Sequence, residues 1–135
     1  MFPPDTRILV VDDTKSLRDL LAAYLRRLGY TRIDSAEDGL VGLRCLESAH
    51  SKGDPYGLVI SDWNMPIMSG LEFLKEVRAM PYWKNLPFML LTTESEKDKV
   101  VEAVLAQVSN YLVKPVDQAT LQEKMEKVWE KHQTS

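Results

Sequence analysis

The stretch VISDWNMP, residues 59–66, runs from apolar residues into Asp62 and reaches Pro66 four residues later. The apolar start predicts a buried strand, and Pro66 keeps the chain out of a helix directly after it. Three roles are open to Asp62 at this junction: it caps a turn, binds a ligand or reacts. The polar residues that end the neighbouring strands decide among these roles.

Apolar runs alternate with segments of helical period on both sides of this stretch. Strands are predicted at residues 8–11, 32–36, 58–61, 88–91 and 111–113. Helical spacing of apolar residues follows each strand, at residues 17–28, 40–46, 71–77, 100–108 and 121–129. Five βα units in strict alternation predict an α/β fold, with a parallel sheet covered by helices on both faces.

Length and composition narrow the classes of function. The 135 residues predict one domain. The formal net charge of -3 offers no general attraction to nucleic acid or to an anionic membrane. Cys45 is the only cysteine, which excludes an intramolecular disulfide and a cysteine-rich zinc site. The start, MFPPDTR, does not read as a signal peptide, and no stretch reaches the roughly 20 apolar residues of a membrane span, so we expect a cytoplasmic protein.

Polar residues end four of the predicted strands and meet at one edge of the sheet. They are Asp12 and Asp13, Asp62, Thr92, and Lys114. Three carboxylates in one pocket repel each other, and a hard cation such as Mg²⁺ compensates for this. With Lys114 and Thr92 beside it, Asp62 can act as a nucleophile for a phosphoryl group.

Each of these residues also has an ordinary structural role. Asp13 precedes TKSLRDLL and can cap the first helix, and Asp62 can cap a turn. Thr92 can be a strand-end hydroxyl, and Lys114 a solvated loop residue. Independent structural roles do not require all of them at one edge, so their conjunction favours a site.

Four motifs together resemble the receiver domain of two-component response regulators. They are VVDD at 10–13, SDWNMPIMSG at 61–70, LLTTE at 90–94 and YLVKP at 111–115. The resemblance covers residues 6–131. Stand-alone chemotaxis regulators of the CheY type share the Asp-Trp-Asn-Met-Pro run and the Thr-x-Glu pattern. The resemblance implies a flavodoxin-like sheet of order 2-1-3-4-5, in a single receiver domain over residues 1–135 with no output domain.

The resemblance also implies roles for individual residues. Asp62 would accept the phosphoryl group from a CheA-like sensor histidine kinase. Asp13, Asp62 and the Asn64 backbone carbonyl would ligate Mg²⁺, and Asp12 would act largely through water. These implied roles make the chain a switch that catalyses only its own phosphorylation and dephosphorylation.

Further implied roles concern signalling after phosphorylation. Thr92 and Lys114 would hold the phosphoryl oxygens, and the bond to Pro115 would be cis. Tyr111 would be an aromatic switch, although a half-buried aromatic on the fifth strand is its ordinary role. Asn64 and Glu94 would tune dephosphorylation. The downstream partner, a flagellar switch protein in chemotaxis, would bind the face formed by the fourth helix, fifth strand and fifth helix.

The chain departs from the family pattern at two positions. Thr93 stands where the family usually has Ala or Gly, and its bulk would restrict access of water or donor. Gln107 in LAQVSNYL replaces a glycine, and a left-handed backbone there would cost about 1 kcal/mol. Either the helix ends differently or this strain is tolerated, which bears on the shape of the output face.

Other functions fit the residues less well. A receiver in a non-chemotaxis phosphorelay, or an adaptor, would have the same motifs. A phosphatase of the haloacid dehalogenase type would need Asp-x-Asp at the first strand, where this chain has Asp12-Asp13-Thr14. A receiver-like module that no longer takes phosphate would be expected to lack the acceptor, an acid or the lysine. Because 21 residues follow Lys114, we expect no appended DNA-binding domain.

Overall fold

Strands and helices alternate in the computed structural model, which describes residues 1–93 and 99–133. The strands are β1 Arg7–Val11, β2 Arg32–Ala36, β3 Leu58–Asp62, β4 Phe88–Thr92 and β5 Asn110–Val113. The helices are α1 Lys15–Arg27, α2 Gly39–Ser51, α3 Gly70–Ala79, α4 Val100–Leu105 and α5 Gln118–Gln133. A short 3₁₀ helix, Pro81–Trp83, precedes β4. None of the described helices is both long enough and apolar enough to cross a bilayer.

The strands form one parallel sheet of order β2-β1-β3-β4-β5, which confirms the predicted flavodoxin-like fold. The register brings the carboxyl ends of the central strands level with one another. Val11 pairs with Ser61 across β1 and β3, and Thr92 pairs with Val113 across β4 and β5. Polar residues that end these strands therefore emerge at one edge.

Successive residues of the central strands β1, β3 and β4 belong to two separate hydrophobic layers, because side chains alternate between the faces of a sheet. Helices α2, α3 and α4 cover one layer, whose buried members include Leu9, Val11, Val59, Leu90, Leu46, Phe73, Leu74 and Ala103. Helices α1 and α5 cover the other, with Ile8, Val10, Ile60, Leu91, Leu21, Leu25, Leu121 and Met125. The sheet is covered on both faces, as the alternation predicts.

Helix α4 differs from its predicted form. It ends at Leu105, so the prediction that helical spacing continues to Val108 is wrong. Gln107 has a φ of 67°, and the amides of Gln107 and Val108 donate to the carbonyls of Val104 and Ala103. This bonding pattern is a Schellman C-cap, which ends the helix with the left-handed backbone kept.

Three of the apolar residues that predicted α4 do not pack into the core, whereas Val108, just beyond its end, does. Val101, Val104 and Leu105 are 65%, 59% and 78% exposed, whereas Ala103 is fully buried. The helical period therefore marks an outward apolar face here. We call these three residues the α4 apolar face.

Candidate functional site

The backbone continues the hydrogen-bond ladder of the sheet by one residue at three strand ends. The amide of Asp12 donates to the Ala36 carbonyl at 3.1 Å, and the amide of Trp63 donates to the Leu91 carbonyl at 2.9 Å. The amide of Lys114 donates to the Thr92 carbonyl at 2.7 Å. These bonds fix the backbone positions from which the side chains at the strand ends project.

Three carboxylates converge at this edge. One oxygen from each of Asp12, Asp13 and Asp62 lies within 4.8 Å of the others, and the described residues hold no second group of this kind. Asp12 and Asp62 are buried and Asp13 is exposed. The Oδ2 atom of Asp12 is buried with no hydrogen-bond partner in the described part of the chain. A buried oxygen without a partner, set among acids, fits a site for a hard cation.

Lys114 supplies the positive charge at the site. Its Nζ lies 2.8 Å from Asp62 Oδ1 and 3.9 Å from Asp12 Oδ2. The Lys114–Pro115 peptide bond is cis. One lysine facing two buried carboxylates leaves the cluster with a net negative charge.

Burial dominates the titration of the two inner carboxyl groups. It is the main reason why the pKa of Asp12 is raised to about 6; the charge of Asp62 acts in the same direction, and the Thr14 amide and Lys114 act against it. Burial also raises the pKa of Asp62, opposed chiefly by its hydrogen bond from Lys114. Both groups resist carrying a charge when no cation is bound.

The start of α1 corrects one structural expectation. Asp13 does not cap the helix, because the N-cap residue is Thr14, which makes no side-chain capping bond. The Thr14 amide instead donates to Asp12 Oδ1 at 2.8 Å, and Arg18 Nη1 donates to the Asp12 carbonyl at 2.7 Å. Asp13 is therefore left exposed at the edge of the site.

The loop between β3 and α3 folds back on the end of β3. Ser69 caps α3 in a capping box with Glu72. The Gly70 amide donates to the Trp63 carbonyl at 2.8 Å. A Cβ added to Gly70 would lie 2.0 Å from the Asp62 carbonyl oxygen, so only glycine allows this approach.

The remaining predicted residues that the structure describes lie at the end of β4, on β5 and in the loop after β3. Thr92 ends β4, fully buried, with its hydroxyl donating to the Thr93 carbonyl at 3.3 Å. Asn64 is exposed in the loop after β3, and Thr93 is half-buried. Tyr111 is half-buried on β5, with the Lys124 ammonium 5.4 Å from its ring centre. Glu94 lies outside the described residues.

Comparison with known proteins assigns the family. The model of the response regulator receiver domain matches residues 8–126. The chain belongs to the response regulator receiver family. Chemotaxis protein CheY-3 of Vibrio cholerae is 41% identical over 125 residues, which span 93% of this chain and 92% of that protein. This likeness makes the chain a CheY-like receiver.

Solved receiver structures agree with the fold. Vibrio cholerae chemotaxis protein CheY4 is 34% identical, with a TM-score of 0.81 over 92% of this chain and 98% of that chain. The receiver domain of a Pseudomonas aeruginosa sensor histidine kinase is 26% identical, with a TM-score of 0.75 over 92% of this chain and 98% of that chain. The latter structure has a magnesium ion coordinated in its active-site cleft.

Sequence reasoning assigned no role to three residues around this receiver site. Arg18 holds the Asp12 backbone, Gly70 packs against the Asp62 carbonyl, and Ile67 has a φ of 70° in the β3–α3 loop. A glycine directly after a serine cap is a signal that could have identified Gly70. Nothing in the sequence marks the conformation of Ile67, because β-branched residues rarely adopt a positive φ.

Proposed function

We propose that this chain is a single-domain response regulator of the cytoplasm that accepts a phosphoryl group on Asp62. The observation that carries the proposal is the contact of Lys114 Nζ with Asp62 Oδ1 at 2.8 Å, inside the cluster of three carboxylates. A nucleophilic carboxylate needs a cation to hold the charge of the incoming group, and this edge supplies one. Family membership supports the same reading.

The donor set fits Mg²⁺. Asp12 Oδ2 has no hydrogen-bond partner among the described residues, and the oxygens of Asp13 and Asp62 lie within 4.8 Å of Asp12. Asp13, Asp62 and the Asn64 backbone carbonyl would hold the ion, with Asp12 acting largely through water. The bound ion would neutralise charge on the phosphoryl oxygens.

The chain's own residues then do the remaining work. An Asp62 oxygen attacks phosphorus while the bond from phosphorus to a histidine nitrogen of the donor breaks, and that nitrogen keeps the electron pair. Lys114 moves from the carboxylate to a phosphoryl oxygen, and the Thr92 hydroxyl leaves the Thr93 carbonyl to donate to another. Asn64, Glu94 and Thr93 would set how long the phosphoryl group lasts. The chain acts as a switch and catalyses only its own phosphorylation and dephosphorylation.

The α4 apolar face, together with β5 and α5, forms the surface that binds the downstream partner. Val101, Val104 and Leu105 are exposed without covering a core, and Tyr111 lies on the adjoining strand. Inward movement of Tyr111, as Thr92 turns to the phosphoryl group, would change this surface. A CheA-like histidine kinase as donor and a flagellar switch protein as receiver of the signal follow from the likeness to chemotaxis regulators.

Labelling with acetyl phosphate and Mg²⁺ tests the acceptor. We expect the wild-type chain to gain one phosphoryl group that hydroxylamine removes, as it does from an acyl phosphate, and the Asp62→Asn variant to gain none. Asp5→Asn is the matched control, because Asp5 is an exposed carboxylate ahead of β1 and should label like the wild type. Trp63, buried next to Asp62, should change its fluorescence on labelling. Equal labelling of Asp62→Asn and the wild type would exclude Asp62 as the acceptor.

A further inference from the structure

Ile67 has the backbone conformation that least suits its side chain. Its φ is 70°, in the left-handed region where a β-branched residue is a genuine outlier. Glycine or asparagine adopts this conformation with less strain. The chain therefore keeps isoleucine here against a local preference.

Packing of the isoleucine side chain does not offset this backbone strain. It is 77% exposed, so it adds little to either hydrophobic layer. The loop around it is nonetheless well fixed: the Met68 carbonyl accepts from the Gly39 amide at 3.3 Å, and the Met68 amide donates to the Pro66 carbonyl at 2.7 Å. The loop thus holds an apolar side chain outward in a defined place.

That place is at the rim of the phosphoacceptor site. The loop starts at Asp62 and returns to it, because Gly70 lies against the Asp62 carbonyl and bonds to Trp63. Ile67 is three residues from Gly70 and so within about 11 Å of that point. A protein that brings a phosphohistidine to Asp62 must cover this rim, whereas a small phosphodonor need not.

We propose that Ile67 is an apolar docking contact for the protein phosphodonor. The inference rests on the proposed function, since it needs Asp62 to be the acceptor. Strained residues persist at sites where the conformation serves a function, and an exposed apolar side chain at an interface can anchor the partner. The occupant is the protein surface around the donor's phosphohistidine, and Ile67 sets how tightly that surface binds.

The test separates docking from chemistry by changing the donor. Ile67→Asn removes the apolar contact and relieves the backbone, and Ile67→Val keeps an apolar β-branched side chain. Each variant is labelled with acetyl phosphate, and separately by an autophosphorylated CheA-like kinase chosen because it phosphorylates the wild type. Tyr82→Asn is the matched control: Tyr82 is a 48% exposed apolar residue in the 3₁₀ helix before β4.

We expect Ile67→Asn to raise Tm by about 3 °C or more and to slow transfer from the kinase about tenfold. Labelling by acetyl phosphate should be unchanged. Ile67→Val and Tyr82→Asn should keep the wild-type rate with the kinase. Unchanged transfer from the kinase to Ile67→Asn, or equal slowing with both donors, would overturn the docking role. If acetyl phosphate does not label the wild type and no kinase that phosphorylates it is found, the proposed function is wrong, and the docking role falls with it.

Discussion

Asp12 is fully buried, and its Oδ2 atom has no hydrogen-bond partner in the described residues. Its pKa of about 6 lies above the ordinary 3.8, so between these pH values the folded chain binds more protons than the unfolded chain. Asp12 therefore stabilises the metal-free fold at low pH. This contribution, about 2 to 3 kcal/mol, is lost as the pH rises from about 4 to 6.

We predict that Asp12→Asn stabilises the metal-free protein at pH 8 by about 2 kcal/mol, because the neutral amide carries no charge to desolvate. The amide oxygen can still accept from the Thr14 amide. Urea unfolding of both proteins in EDTA at pH 4 and pH 8 measures the effect, and the difference between them cancels the other titrating groups. The gain should shrink at pH 4. A gain that is equal at both pH values would contradict the raised pKa of Asp12.

At the scale of one helix, the end of α4 shows how local backbone strain is tolerated. The left-handed Gln107 keeps both Schellman hydrogen bonds, and its carbonyl accepts from Arg78 Nε at 3.0 Å. Tertiary contacts thus hold a conformation that the side chain disfavours. Of the two outcomes that the sequence left open, the chain keeps the geometry and bears the strain.

We predict that Gln107→Gly raises the free energy of unfolding by about 0.5 to 1 kcal/mol, because the Cβ strain is removed at a backbone that glycine adopts freely. Thermal unfolding measures the change. Glu102→Gly, at an exposed position inside α4, is the control and should lower the stability by a similar amount. Loss of stability in both variants would show that Gln107 is not strained.

The elements and their order were predictable because apolar period is a property of the sequence itself, and a parallel sheet brings its strand ends to one edge. The cluster of Asp12, Asp13 and Asp62 followed from that rule. Two finer features, the bonding at the start of α1 and the direction of the α4 apolar face, were not predictable from the sequence. The sequence does not show which of the two aspartates bonds to the start of α1; in the structure the Thr14 amide donates to Asp12 Oδ1, and Asp13 is exposed. The α4 apolar face has the same helical period as a buried face, so periodicity alone cannot show which way it points.

At the scale of the whole molecule, stability, pH and metal are linked through one edge of the sheet. Two buried carboxylates with raised pKa values destabilise the metal-free fold near neutral pH, and a cation that binds only the folded chain opposes this. Acid and Mg²⁺ relieve the same repulsion, so each should weaken the effect of the other. Protons and the metal ion therefore compete for a single site.

We predict that Mg²⁺ at about ten times its Kd raises the free energy of unfolding by about 1.4 kcal/mol at pH 7.5, or Tm by about 3 to 5 °C. EDTA should reverse the shift. At pH 5 the same concentration should give a smaller shift, because Asp12, with a pKa of about 6, must then lose a proton for the metal to bind. Asp13→Asn should lose most of the shift at both pH values, whereas Asp5→Asn should keep it. A shift of equal size at pH 5 and pH 7.5 would place the metal away from Asp12, since only a site next to that buried carboxyl group competes with its proton.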